Sequence, residues 1–167
     1  MANNSKGFTL IELIVVIFII SLFAGLSIAN YGSFNEEKKL DDEVKRLSAT
    51  LYIARSKASS ADADPAVCDD FRGYWVRLDT SSPSSYISER DCQGTYDSTQ
   101  THTLTPNVTL SSSTSDIFFK PLNAGTNLSS NLTIKVKNNK IQPNKCINII
   151  IQPSGIFSES PKYTSGC

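Results

Sequence analysis

Residues 8–29 read FTLIELIVVIFIISLFAGLSIA, an apolar stretch that dominates the N-terminal part of the chain. At 1.5 Å per residue, a helix of this length measures about 33 Å, close to the roughly 30 Å hydrocarbon thickness of a bilayer. Because a helix in lipid satisfies its own backbone groups, the β-branched residues of this stretch cost little there. The sequence therefore predicts that residues 8–29 form the membrane-spanning half of a helix, with a buried core helix as the alternative.

Glu12 is the one charged residue of this stretch. A carboxylate near the centre of a bilayer costs about 2.5 to 3.5 kcal/mol, so a chain that keeps one there needs a cationic partner for it. The alternative is that the side chain lies at the interface and reaches water. Glu12 is therefore a candidate for pairing with a cation inside an apolar assembly.

The composition narrows the classes of function. The chain has 167 residues, with 16 Lys and Arg against 16 Asp and Glu, and only one His. This length fits one domain of ordinary size, and the absence of net charge argues against a general binder of polyanions. Because acid–base catalysis most often uses His, the sequence predicts a protein that is not an enzyme and that holds no cofactor and no metal.

A secreted protein is a second interpretation of the N-terminal region. Ser27 and Ala29 have the small-residue spacing that signal peptidase prefers, so the chain could be cleaved after Ala29. The count of basic residues does not favour a cytoplasmic N-terminus, because Lys6 alone precedes the stretch. Four basic residues follow it closely: Lys38, Lys39, Lys45 and Arg46.

Residues 7–13, with the sequence GFTLIEL, follow a short polar leader and open the apolar stretch. This arrangement resembles the processing site of type IV prepilins and type II secretion pseudopilins. The resemblance implies that residues 1–7 are a leader peptide, that a prepilin peptidase cleaves after Gly7 on the cytoplasmic face, and that the same enzyme N-methylates Phe8. It also implies that Glu12 pairs with the terminal amine of a neighbouring subunit during assembly.

The resemblance further implies a function, a location and partners. The function is that of a structural, minor subunit of a type IV pilus-like filament or type II secretion pseudopilus, assembled by helix bundling. The location is the bacterial inner membrane, crossed once with the head outside the cytoplasm, and then an extracytoplasmic filament. The implied partners are other pilin or pseudopilin subunits, prepilin peptidase, the inner-membrane assembly platform and membrane lipid.

Residues 30–60 carry an amphipathic pattern, and no proline interrupts the chain from Phe8 to Asp64. We therefore expect one helix of about fifty residues whose second half packs on a globular head, with a coiled coil as the alternative. Apolar residues recur at intervals of four and three on one face of this half: Leu40, Val44, Leu47, Leu51, Ala54 and Ala58.

Residues 61–167 read as strands and loops. Two segments alternate as half-buried strands do, around Tyr74, Val76 and Leu78 and around Leu132, Ile134 and Val136. Asn138 and Asn139 predict a hairpin to the next apolar run, residues 146–151. Shorter strands are expected at residues 86–88, 108–110 and 117–119. The predicted fold class is α+β, a pilin-like long N-terminal helix packed on an antiparallel β-sheet head.

Short blocks of the head give a second resemblance. Residues 51–58, 73–76, 119–125 and 147–151 resemble the H-type minor pseudopilins and related minor pilins. This resemblance is consistent with the one carried by the N-terminus.

Four cysteines allow three disulfide pairings. A head outside the cytoplasm permits oxidation, and no CxxC spacing is present, so disulfides are favoured over zinc. We expect Cys68 to pair with Cys92 and Cys146 with Cys167, each closing a loop that contributes roughly 3 kcal/mol in the chain-entropy model. The alternative is free buried thiols.

The remaining candidates are weaker. Asp62, Asp64, Asp69 and Asp70 lack the spacing of an EF-hand loop and are interpreted as a solvated acidic loop. His102 has no metal-ligand spacing around it and is interpreted as a surface residue. A DNA-binding or adhesive minor pilin is the alternative function, resting on a group of basic residues that a solvated strand also explains: Lys135, Lys137, Lys140, Lys145 and Lys162.

Overall fold

The computed structural model describes residues 7–61, 66–93, 95–141 and 145–160, without the side chains of residues 25–31. Contacts divide the chain into two units, Met1–Asn35 and Glu36–Cys167. We call the second unit the head.

One helix, α1, runs over Leu10–Ser59, which is 50 residues. No proline interrupts it, and it begins directly after Thr9, whose hydroxyl oxygen accepts a hydrogen bond from the Glu12 amide at 3.3 Å. The helix ends where Ala61 takes a positive φ of 48°, a left-handed conformation typical of helix ends. The prediction of one helix of about fifty residues is confirmed.

The head contains two antiparallel sheets of four strands. The first has the strand order β3-β2-β1-β5 and the second has the order β4-β6-β7-β8. The strands are β1 Phe71–Asp79, β2 Ser85–Cys92, β3 Thr95–Thr103, β4 Val108–Ser111, β5 Asp116–Phe119, β6 Leu132–Asn138, β7 Lys145–Ile151 and β8 Phe157–Glu159. The α+β class predicted from the sequence is confirmed, with the strands arranged in two sheets.

The core of the head lies between α1 and the inner faces of both sheets. The six residues of the predicted helical stripe, from Leu40 to Ala58, are each exposed by 2% or less. They belong to one cluster with residues such as Val76, Ile117, Ile134 and Ile149. Burying a leucine-sized side chain contributes about 1.5 to 3 kcal/mol, so this stripe is the main attachment of α1 to the sheets.

Two strands, β3 and β8, were not predicted from the sequence. β3, with the sequence TYDSTQTHT, was not predicted because it has no apolar alternation. It is an edge strand and mostly exposed, so no row of its side chains needs to be apolar.

The hairpin between β6 and β7 is confirmed, but its turn lies beyond Asn138, which is the last residue of β6. The Asn138 amide is fully buried and donates to Glu36 Oε2 at 2.8 Å.

A disulfide joins Cys68, before β1, to Cys92 at the end of β2. This is the pairing favoured from the sequence, and its Cα atoms are 5.4 Å apart. Cys146 is also disulfide-bonded, but its expected partner Cys167 lies outside the described residues. The first bridge therefore ties the loop after α1 to the first sheet.

Candidate functional site

The expected processing site lies immediately before α1. Gly7, Phe8 and Thr9 precede the first helical residue, Leu10. A Cβ built at Gly7 would meet no atom within 4 Å, and Phe8 is 81% exposed. None of the described residues covers the bond between Gly7 and Phe8, so they leave it accessible to another protein.

Glu12 lies in the first turn of α1. The order Thr9, Leu10, Ile11, Glu12 is a capping-box sequence, and the bond from the Glu12 amide to the Thr9 hydroxyl forms one half of it. A carboxylate in the first turn also interacts favourably with the positive end of the helix dipole. Glu12 is exposed and makes no ion pair with any residue that the structure describes, so its carboxylate is available to a cation from elsewhere.

The first turns of α1 present an apolar surface on every side. Its large apolar side chains are between 45% and 75% exposed, and a monomeric soluble protein rarely exposes so many apolar side chains in one continuous region. A helix that is apolar all round is typical of burial in a large core or in a membrane. The side chains are Leu10, Ile11, Leu13, Ile14, Val15, Val16, Ile17, Phe18, Ile19, Ile20, Leu22 and Phe23.

Among the described residues, no helical stretch is both long enough and apolar enough to cross a membrane. The expected span, residues 8–29, extends into residues 25–31, whose side chains lie outside the described part. The alternative cleavage site, after Ala29, lies within the same residues, 25–31, whose side chains are not described.

In the head, His102 is not the isolated surface residue that the sequence suggested. Its Nε2 lies 2.8 Å from Oε2 of Glu43, a carboxylate whose side chain is 3% exposed. The other oxygen of Glu43 accepts a hydrogen bond from the Thr105 amide at 3.1 Å. The His102 ring packs against Tyr86 with centroids 5.0 Å apart, and burial raises the pKa of the Tyr86 hydroxyl. This cluster fixes β3 and the following loop to α1.

The signal for this pair was present in the sequence. Glu43 follows Leu40 by three residues and precedes Leu47 by four, so it lies on the buried face of α1. A buried carboxylate needs partners, but nothing in the sequence indicates that they lie 59 and 62 residues away.

Two neighbouring cavities lie between α1 and the strands β2 and β3. They measure about 290 and 560 Å³ and share Gln100 in their walls. The walls mix Tyr86 and Ile53 with the hydroxyls of several Ser and Thr residues. Small-molecule sites are instead mostly apolar with a few convergent polar groups, so these cavities do not have the character of a substrate pocket.

The acidic candidates form no metal site in the described part of the chain, and two of the basic candidates, Lys135 and Lys137, lie on the same outer face of β6. Within the described part of the chain, no group of three or more His, Cys, Asp or Glu residues could hold a metal ion. Asp70 pairs with Arg72 at 3.1 Å, whereas Asp62 and Asp64 lie outside the described residues. Lys145 bonds to Glu37 at 2.6 Å, which removes one cation from the basic group. Lys135 and Lys140 are exposed, and Lys162 lies outside the described residues.

Comparisons with known proteins agree with the N-terminal geometry. Residues 2–28 match the family described as the prokaryotic N-terminal methylation motif. The chain is 39% identical over 75 residues to the type II secretion system protein H of Pseudomonas aeruginosa. This match includes 45% of the chain and 38% of the relative, so the chain spans well under half of that relative's length. No solved structure matches the chain.

The family and the relative bear out the resemblance to type IV prepilins and type II secretion pseudopilins that was drawn from the N-terminal sequence. Proteins of this family are structural subunits that assemble with other pilin subunits. The methylation motif, the type II secretion relative and the helix-on-sheet fold together support a type IV pilin or pseudopilin.

Proposed function

We propose that the protein is a structural subunit of a pilus or secretion pseudopilus, anchored in the inner membrane before it is drawn into a filament. The observation that carries this proposal is the prepilin motif at the start of a helix whose large apolar side chains are exposed on every side. Lipid covers such a surface before assembly, and the helices of neighbouring subunits cover it afterwards. Helix bundling thus replaces burial in lipid by burial in protein.

Processing comes first in this scheme. Prepilin peptidase cleaves between Gly7 and Phe8 and methylates the new amine of Phe8. Residues 7–9 lie outside the helix and Phe8 is 81% exposed, so the peptidase does not have to unwind α1 to reach the bond. The Gly7 position tolerates the close approach of an enzyme because it carries no side chain.

The Glu12 carboxylate then pairs with the Phe8 amine of a neighbouring subunit. An ion pair buried in an apolar filament core is favourable only if the carboxylate and the amine stay in contact. The pair therefore opposes any shift of one subunit along the filament axis that would separate the two groups. The inner-membrane assembly platform supplies the work of extracting the subunit. The chain itself performs no catalysis in this scheme, and its head serves as an assembly and contact domain.

The test replaces Glu12 in the full-length chain in its own bacterium. Glu12→Ala should remain in the membrane and be cleaved normally, but its share in the sheared filament fraction should fall at least about tenfold, because loss of one partner leaves the amine unpaired in an apolar core. Asp42→Ala is the matched control, since Asp42 is an exposed carboxylate on the same helix. Normal incorporation of Glu12→Ala would contradict the proposed role of Glu12.

A further inference from the structure

A groove runs between α1 and the edge strand β3 in the head. Two neighbouring cavities form it, of about 290 and 560 Å³, and Gln100 lies in the wall of both. Its helical wall is a single face of α1, because the residues there are spaced by four, three and four positions. These residues are Arg46, Thr50, Ile53 and Lys57. The groove therefore follows the helix axis for about 16 Å, at roughly 1.5 Å per residue.

The opposite wall of the groove is an irregular part of β3. The pairing of β2 with β3 shifts register between Ser88 and Arg90, and Ser98 has a positive φ of 51°. A β-bulge of this kind bends its strand and interrupts the ladder of hydrogen bonds locally. The irregularity coincides with the larger cavity, because Ser88 and Ser98 both line that cavity. The groove is therefore built into the pairing of the two strands.

The strand side of the groove offers hydrogen-bonding groups that the fold does not use. Five polar side chains there form no side-chain hydrogen bond within the part of the chain that the structure describes: Ser88, Ser98, Thr99, Gln100 and Thr101. Among the described strands, β3 pairs only with β2, so its backbone groups on the other side are not used by any strand. Such a row of unpaired backbone groups is a template for an added strand.

The two ends of the groove carry positive charge. Arg46 lines the smaller cavity and Lys57 lines the larger one, and no described carboxylate is part of either wall. The Arg46 guanidinium forms no ion pair with any described residue. The carboxylate of Glu43 is buried and already pairs with His102 at 2.8 Å. The charge of the groove therefore complements an acidic ligand.

We propose that this groove binds an extended acidic segment of a partner protein, which adds as a strand to the free edge of β3. An extended chain rises about 3.3 Å per residue, so a segment of about five residues spans the groove. Because side chains alternate across a strand, residues four positions apart share one face. The segment therefore carries acidic side chains four positions apart, one for Arg46 and one for Lys57.

The two kinds of contact have different tasks. Main-chain hydrogen bonds to the edge of β3 supply affinity, as in other cases of strand addition, and the two ion pairs fix the register of the segment. The polar walls suit this ligand, because the main chain of a peptide is itself rich in donors and acceptors. The groove belongs to the head alone, so the inference depends neither on Glu12 nor on the apolar first turns of α1.

The first part of the experiment measures peptide binding to the unchanged full-length protein in detergent by fluorescence anisotropy. The probe is the labelled peptide Gly-Glu-Val-Thr-Val-Glu-Gly. The matched control is Gly-Glu-Val-Thr-Glu-Val-Gly, which has the same composition and charge but places its glutamates on opposite faces. The control should bind about threefold more weakly, because one of two exposed ion pairs is lost. The probe with N-methylated central amides should bind at least about tenfold more weakly, because its backbone donors are removed.

The second part changes the protein. The double variant Arg46→Gln with Lys57→Gln should bind the probe about tenfold more weakly, because both ion pairs are lost. Lys45→Gln is the matched control, since Lys45 is an exposed cation of α1 that lines neither cavity, and it should bind the probe normally. The thermal midpoint of each variant is measured alongside. The comparisons between peptides use the unchanged protein, so they hold even if the double variant is destabilised.

Each contrary outcome overturns the inference and leaves the proposed function intact. Equal binding of the probe and its matched control would show that charge alone is recognised. Undiminished binding of the N-methylated probe would exclude strand addition, and undiminished binding by a folded double variant would place the peptide elsewhere. Binding of a sulfated dextran oligosaccharide without binding of the probe would assign the groove to an acidic saccharide. No binding of the probe at millimolar concentration would also count against the proposed segment.

Discussion

The two halves of α1 use apolar residues in opposite ways. In the half that belongs to the head, the apolar side chains from Leu40 to Ala58 form one stripe and are exposed by 2% or less. In the first turns, the apolar side chains face every direction and are at least 45% exposed. The first pattern is satisfied within one chain, whereas the second needs a partner. The same helix therefore carries a folding surface and the surface that we propose for assembly.

The largest expected effect is the difference in stability between a leucine-to-alanine substitution on the buried half of α1 and the same substitution on the exposed half. Leu51 is fully buried, so Leu51→Ala should lower the free energy of unfolding of the head by about 2 to 5 kcal/mol. Leu13 is 56% exposed, so Leu13→Ala should leave that free energy unchanged. Chemical denaturation of both full-length variants in detergent, followed by the fluorescence of Trp75 in the head, measures the difference. Equal effects of the two substitutions would break the comparison.

Removing the first disulfide should have the next largest effect. The bridge between Cys68 and Cys92 closes a loop with a sequence separation of 24 residues. The double variant Cys68→Ser and Cys92→Ser should therefore lose about 3 kcal/mol of unfolding free energy in the chain-entropy model. The bridge lies within the head, so membrane retention through the first turns of α1 should not change. An unaltered denaturation midpoint would show that the bridge does not constrain the head.

The smallest expected effect tests the polar contact between α1 and β3. His102→Ala leaves the buried carboxylate of Glu43 with the Thr105 amide as its remaining bonded partner, at a cost of about 1 to 3 kcal/mol. Thr101→Ala on the same strand is the control, because Thr101 is exposed and such surface changes stay within about 0.5 kcal/mol. Denaturation midpoints of the two variants make the comparison. If both variants unfold at the same denaturant concentration, Glu43 does not depend on His102.

The elements that the sequence predicted are those whose pattern arises from local periodicity. The helical stripe from Leu40 to Ala58 and the alternation of Tyr74, Val76 and Leu78 both follow from a single buried face. The polar edge strand β3 has no such face, so its existence depends on pairing with β2, which sequence periodicity does not report.

The long-range contacts could not be predicted from the sequence for a different reason, because they join residues that are far apart in the chain. The bonds from His102 to Glu43 and from Asn138 to Glu36 join residues 59 and 102 positions apart. The N-terminal motif is the opposite case, since its function is carried by a short contiguous stretch.

The most direct test of the central claim is mass spectrometry of the N-terminal peptide of the mature protein isolated from membranes. The account predicts a chain that begins at N-methylated Phe8, with residues 1–7 removed. A chain that begins at Asn30 would contradict it, because the apolar first turns and Glu12 would then be absent from the mature protein.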